Sequence, residues 1–242
     1  MTPLALYREG KLREAIKALG EELRSNPLDV KRRTFLFELL IFAGEYDRAE
    51  KQLDILSDAN PEAAAGTLLY RSALHAERTR QNMFARLETP PAGDKSAPGG
   101  TWNGKEFTDL ADADPRIGDN LEVFIAGSYT WIPMHYLTRV EIDPPANLRD
   151  LMWAQARVET TPEFRLQELG EVLIPVLCPL SWKHEDESVQ LGRESVWEAD
   201  EKYGELPYGT KTIVIDGVDV PLLDIRSVVW SAGPKESDDA AS

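Results

Sequence analysis

Two stretches in the first third of the chain superimpose without a gap. "EGKLREAIKALGEELRSNP" and "AGEYDRAEKQLDILSDANP" place Gly10 over Gly44, Leu12 over Tyr46, Ala15 over Ala49, Leu19 over Leu53 and Pro27 over Pro61, each pair 34 positions apart. A fixed period constrains the fold more than any local propensity, because each unit is one supersecondary element whose apolar face is buried only by a neighbouring copy. Each repeated residue type has a physical task. Glycine allows a tight turn between two helices, alanine lets the helices approach closely, and proline stops the second helix because it has no amide hydrogen. In the first unit Leu12, Ala15, Ile16, Leu19 and Leu23 recur at helical spacing and form one apolar face.

This pattern resembles the tetratricopeptide repeat, a helix-turn-helix unit. "TFLFELLIFAG", between the two matched segments, is apolar almost all round, as a helix sandwiched between others should be. The leading helix of the first unit is expected to begin upstream of Met1, and Phe37 stands where the second unit should carry a small residue. Beyond Pro61, "EAAAGTLLYRSALHAERTRQNMFARL" reads as one more helix, so a short array is expected and not a long solenoid.

Composition changes at "PPAGDKSAPGG", residues 90–100, where prolines and glycines mark an irregular connection. After it the period becomes that of strands. "LEVFIAG", "SYTWI", "TRVEI", "ARVET", "EVLIPVL", "TIVID" and "VPLLDI" are short, rich in β-branched and aromatic residues, and separated by turn residues. Asp216-Gly217 and Gly127 mark hairpins, and Pro133 is where the strand holding Tyr129 and Trp131 should give way to an irregular segment carrying His135. The expected fold is multidomain α+β: a tetratricopeptide-like helical domain over 1–89, a linker over 90–100, a mostly β domain over 101–232, and a polar tail over 233–242.

The totals exclude several functions. Forty-two acidic against 27 basic side chains give a net charge of −15, which repels nucleic acid and anionic membrane surfaces, and Lys31–Arg33 is too short a basic cluster to reverse that. No apolar run approaches the roughly 18 residues that span a bilayer, and "MTPLALYREGKLREA" turns charged where a signal peptide would be apolar, so a cytoplasmic location is expected. The single cysteine, Cys178, lies in "EVLIPVLCPL", where a thiol acts as a small buried hydrophobe.

Catalytic motifs are not found. His75, His135 and His184 are far apart with no metal-ligand spacing, and the charges of "HEDES", residues 184–188, read as a solvated loop. Ser128 in "AGSYT" lacks the glycine frame of a nucleophile elbow, Cys178 lies among apolar residues, and the glycines of "PGGTWNG" do not have phosphate-loop spacing. An enzyme built around His135 would need a nucleophile or partner acid that the sequence does not supply. No catalytic residue, metal or cofactor is expected.

"DADPRIGDNLEVFIAGSYTWIPMHYLTRVEIDPPANLRDLMWAQARVE", followed by "GEVLIPVLCP", "LGRESVW" and "LLDIRSVVW", resembles the ImpE/SciE (TagJ) family of type VI secretion accessory proteins in motif order from Asp112 to Trp230. The resemblance implies a non-enzymatic adaptor that binds the small subunit of the contractile sheath and is linked through it to the ATPase that disassembles contracted sheath. It also implies partner-binding candidates: Arg149, Asp150 and Trp153 in "NLRDLMW", and Gly192, Arg193 and Trp197 in "LGRESVW". Residue types alone equally allow core packing for the tryptophans and local pairing for Arg149 and Asp150. Two departures from the family pattern stand out. Only the proline-glycine stretch precedes "GGTWNGKEF", where many members carry further helical sequence, and "TTPEFRLQELGEV" is longer than the usual connection. A general peptide-binding or chaperone-like repeat scaffold, unrelated to secretion, is the competing reading.

Overall fold

The computed structural model describes residues 1–59, 64–91, 97–164 and 169–231. Asn60 and Pro61 of the second unit, residues 92–96 of the expected linker, residues 165–168 of the long connection and the expected tail lie outside the described residues.

The repeat period becomes two helical pairs. The first is α1 (Pro3–Arg8) with α2 (Leu12–Ser25), the second α3 (Val30–Phe42) with α4 (Tyr46–Ala59), and α5 (Ala64–Ala85) follows. The leading helix of the first pair starts inside the chain, contrary to expectation: the Thr2 hydroxyl accepts from the Ala5 amide and Pro3 opens the helix, a strong N-terminal signal. Gly10 and Gly44, at φ +83° and +70°, make the two inter-helix turns. The repeated apolar positions are the packing positions, with Leu12, Ala15, Ala49 and Leu53 fully buried. Phe37 is equally buried and packs edge-on against Tyr70 of α5, ring centroids 5.0 Å apart.

The seven expected runs all contribute strands: β4 (Asn120–Ile125), β5 (Ser128–Pro133), β6 (Leu137–Ile142), β7 (Trp153–Thr160), β8 (Gly170–Pro175), β11 (Thr212–Ile215) and β12 (Val218–Pro221). The last run ends early. Residues Leu222–Asp224 form a 3-10 turn, whose first residue still donates its amide to the Lys211 carbonyl at 2.9 Å. Among the described residues there are six further short strands: β1 (Gly100–Trp102), β2 (Lys105–Phe107), β3 (Leu110–Asp112), β9 (Val196–Asp200), β10 (Gly204–Tyr208) and β13 (Ser227–Trp230).

An eight-stranded sheet runs β2-β1-β13-β6-β7-β8-β4-β5, a three-stranded sheet runs β12-β11-β3, and β9 pairs with β10 as a separate hairpin. Between the two larger sheets lies an apolar core that includes Val123, Ile132, Ile174, Ile213 and Trp230. Ala126 and Gly127 at φ +47° and +86°, and Asp216 and Gly217 at +48° and +77°, close the β4–β5 and β11–β12 hairpins as paired left-handed residues. Residues 134–136 after Pro133 form a 3-10 turn in which His135 stacks on Tyr136. Fold class is therefore multidomain α+β, helical repeats first and a mostly β half second. Among the described residues no helix is long and apolar enough to cross a membrane.

Packing crosses the change of secondary structure. Phe124, Met152, Trp153 and Leu191 of the β-rich half belong to the same core as the helical pairs. Residues 181–193, a 3-10 turn followed by the short helix α6 (Glu187–Gln190), run along the turns of both pairs. A Cβ at Gly44 would lie 2.4 Å from the Trp182 indole, and one at Gly10 would meet Ser188 and Arg193. Arg193 donates from Nη1 to the Arg8 carbonyl at 2.9 Å, and its Nη2 donates to that of Tyr7. The Glu187 carboxylate accepts from the Arg13 amide in the first turn of α2 at 3.3 Å, supplying from across the molecule a cap that Lys11 does not provide.

Candidate functional site

Where α5 crosses β4 and β5, the interface is charged and buried. Glu122 of β4 accepts two bonds from Arg80 of α5, at 2.7 and 3.0 Å, and one from Lys211. Lys211 also bonds Asp112, the Tyr129 hydroxyl donates to Glu122, and the Trp131 indole donates to Tyr129. Arg80 and Glu122 are each 1% exposed. Glu77 and Gln81 extend the network on α5. Glu77 accepts from the Trp153 indole at 3.0 Å and from Gln81, whose own carbonyl accepts from the Leu180 amide.

Burial opposes ionisation of Glu122, but the charges of Arg80 and Lys211 outweigh it and hold its carboxyl well below the usual carboxylate range. Asp112 shares Lys211 alone, so burial wins there and pushes its carboxyl up to about 6. Burial also pushes the Cys178 thiol up to about 12, which leaves it an inert packing group. Every charge in this cluster is committed to another, and the cluster is a junction between α5 and the sheet rather than a pocket.

The sequence-derived candidates separate in space. Arg149 lies over the Tyr70 ring, 5.6 Å from its centroid, and pairs with Asp150 at 3.2 Å. Asp150 is buried, and one of its oxygens accepts from the Ala146 and Asn147 amides, so its carboxylate holds the 3-10 turn before β7. Trp153 is 1% exposed and packs against Phe124. Gly192, at φ +65°, lies where a Cβ would be 2.5 Å from Leu177, and Arg193 is bound to the end of α1. Trp197 stands apart, 43% exposed on β9 and paired across the hairpin with Pro207.

Beside Arg149 an open groove separates the N-terminal half of α5 from the outward face of β4, β8 and β7. Its volume is about 250 Å³. Phe124 and Leu173 form the floor, Leu69, Tyr70 and Ala73 the helical wall, and Asp143, Arg149, Arg157 and Glu171 the charged rim. Leu68 and Leu69, 63% and 69% exposed, extend the apolar surface beyond it. No motif pointed to this groove. The available signal was the adjacent Leu68-Leu69 pair, since two neighbouring leucines on a helix cannot both face one packing partner.

Glu38 of α3 lies close to Arg149, Asp150 and Tyr70. Burial pushes its carboxyl up to about 7, Arg149 counteracting and Asp150 reinforcing the shift. A folded-state value above the unfolded one means that the folded chain retains a proton the unfolded chain has released, so stability falls as pH rises from the unfolded value towards 7. Glu38→Gln is expected to abolish that fall, gaining on the order of 1–3 kcal/mol at pH 8 and little at pH 4. Urea unfolding of both proteins across that range measures it, and parallel pH profiles would refute it.

The groups weighed for chemistry are dispersed. His75 is exposed on α5, and His184 pairs with Glu198 at 3.3 Å. In "HEDES", Asp186 caps α6 and Glu187 is engaged by Arg13. Among the described residues no three histidine, cysteine or acidic side chains are grouped to hold a metal ion.

Comparison with known proteins covers both halves. The ImpE protein family matches residues 104–229, and the tetratricopeptide repeat matches residues 6–71. The type VI secretion system accessory component TagJ of Pseudomonas aeruginosa strain PAO1 is 31% identical over 259 aligned positions, covering 92% of this chain and 89% of that protein. The crystal structure of a Vibrio parahaemolyticus protein has the same fold, with a TM-score of 0.84 over 96% of this chain and 98% of that one at 22% identity.

Proposed function

The chain belongs to the ImpE family, and from that membership we propose that it is an accessory protein of a type VI secretion system. In this reading it works in the cytoplasm as a non-enzymatic adaptor, binding the small subunit of the contractile sheath and connecting it to the ATPase that disassembles contracted sheath. The observation that carries the proposal is likeness to TagJ along both halves of the chain, not along the repeats alone. The site chemistry agrees: the conspicuous charged cluster is internally satisfied, while the open groove has an apolar floor and a charged rim, which suits protein binding.

A repeat scaffold acting by itself fits less well, because residues 181–193 already cover both repeat turns. Co-purification of the full chain with the small sheath subunit encoded in the same genome is the direct test. A complex at micromolar concentration is expected. Two folded proteins that elute separately at that concentration would overturn the proposal.

A further inference from the structure

The groove beside α5 carries more information than its apolar floor. Its four charged side chains are not equivalent. Arg149 is held by Asp150 at 3.2 Å and by the Tyr70 ring, and Arg157 is drawn to Glu141 at 3.7 Å. Asp143 and Glu171 are both exposed and have no ion pair among the described residues. The rim thus presents Asp143 without a cation and Glu171 opposite Arg157 in the β7–β8 ladder, above an apolar floor, in a chain whose net charge is −15. Leu68 and Leu69 continue the apolar surface outwards along α5.

We infer that this groove docks a cationic amphipathic segment of a protein partner, apolar side chains seated against Leu69, Phe124 and Leu173 and lysine or arginine side chains meeting Asp143 and Glu171. The inference rests on the adaptor reading for its biological partner but not for its chemistry. Apolar contact supplies the affinity, while the two carboxylates select the sign of the partner's charge and speed the encounter. Binding should therefore weaken with salt. An acidic helix of equal hydrophobicity should be rejected by the rim and by the field of the whole chain.

The test uses the full chain and two labelled peptides of about 18 residues, one of leucine and lysine at helical spacing and one with glutamate for lysine. Anisotropy titrations should show the lysine peptide binding the native protein at least tenfold more tightly than the glutamate peptide. Leu69→Asp, at a position 69% exposed, should keep the native melting temperature and lose at least tenfold in affinity. The pair Asp143→Lys and Glu171→Lys should lose as much and flatten the salt dependence, whereas Glu201→Lys, in the exposed β9–β10 turn, should change neither.

Equal binding of both peptides, or lysine-peptide binding untouched by the groove variants, would overturn the inference. So would a native dimer in sedimentation that Leu69→Asp dissociates, which would make the groove a contact between copies. The same variants tested with the small sheath subunit separate the two proposals. A sheath subunit that fails to bind the native protein defeats the adaptor reading and leaves the peptide result to decide the groove. One that binds all variants equally defeats the groove as its docking surface.

Discussion

Glu122→Gln is expected to lower the free energy of unfolding by roughly 3–5 kcal/mol, the loss usual when one member of a buried ion pair is removed. The amide retains one acceptor for the two donors that Arg80 directs at the carboxylate, and it removes the charge that both Arg80 and Lys211 are buried against. Asp112 would remain as the one carboxylate on Lys211, and Glu77 at 3.5 Å as the one carboxylate on Arg80, beside the Leu177 carbonyl at 2.9 Å. Urea denaturation at pH 7 should show a lower midpoint with an unchanged slope, because the folded state keeps its extent of burial. Arg139→Gln, which breaks the surface pair with Glu141, is the control and should leave the midpoint where it is. A Glu122→Gln protein as stable as that control would mean that water reaches the network.

The acid side follows with the same sign. Glu122 is held below its unfolded value, so its contribution is present above the ordinary glutamate range and is lost progressively as pH falls below that range towards the depressed folded value. Asp112, pushed up to about 6, works the other way: its cost to stability grows as pH rises from its unfolded value to 6 and is complete above that.

Trp153→Ala should cost a comparable 3–5 kcal/mol, since a wholly buried indole leaves a cavity that its rigid neighbours close only in part. Those neighbours come from both halves: Phe124 from the sheet, Met152 from the preceding turn, and the helical core beyond. Trp153→Phe divides the loss into its parts. Phenylalanine retains most of the apolar volume but leaves the Glu77 carboxylate without its indole donor, a loss of about 1–3 kcal/mol. Chemical denaturation of the three proteins measures both steps. An alanine variant no worse than the phenylalanine one would show that the cavity collapses freely.

The parts of this fold legible in sequence are those where one residue type has one local cause. Gly10 and Gly44 turn between helices, and Asp216-Gly217 closes a hairpin, because few other residues accept those backbone angles. The six strands not read from the sequence are three to five residues long, too short for an alternating pattern to rise above chance. The charged junction was illegible for another reason. Arg80, Glu122 and Lys211 are 42 and 89 residues apart along the chain, and in so acidic a sequence one glutamate on a strand reads as solvent-facing.

A subtler signal was present. In "LEVFIAG", Leu121 and Val123 point into one core while Phe124, on the face of Glu122, points into the other. A strand apolar on both faces is buried on both, and a glutamate within it must therefore be paired. Of the candidate residues, Arg149 was found beside the groove and Trp197 on an exposed hairpin, but the α5 wall of the groove carries no motif. Only the packing of helix on sheet brings Leu69 opposite Leu173.

Repeat arrays ordinarily lengthen by inserting whole units between existing ones, since each touches only its neighbours. Residues 181–193 remove that freedom here. One stretch of chain touches the Gly10 turn through Ser188 and Arg193 and the Gly44 turn through Trp182, so it spans the spacing between adjacent units like a gauge. A unit inserted between α2 and α3 would carry one turn out of its reach and strip the Glu187 cap or the Trp182 contact. Growth of the array is therefore closed between α2 and α3.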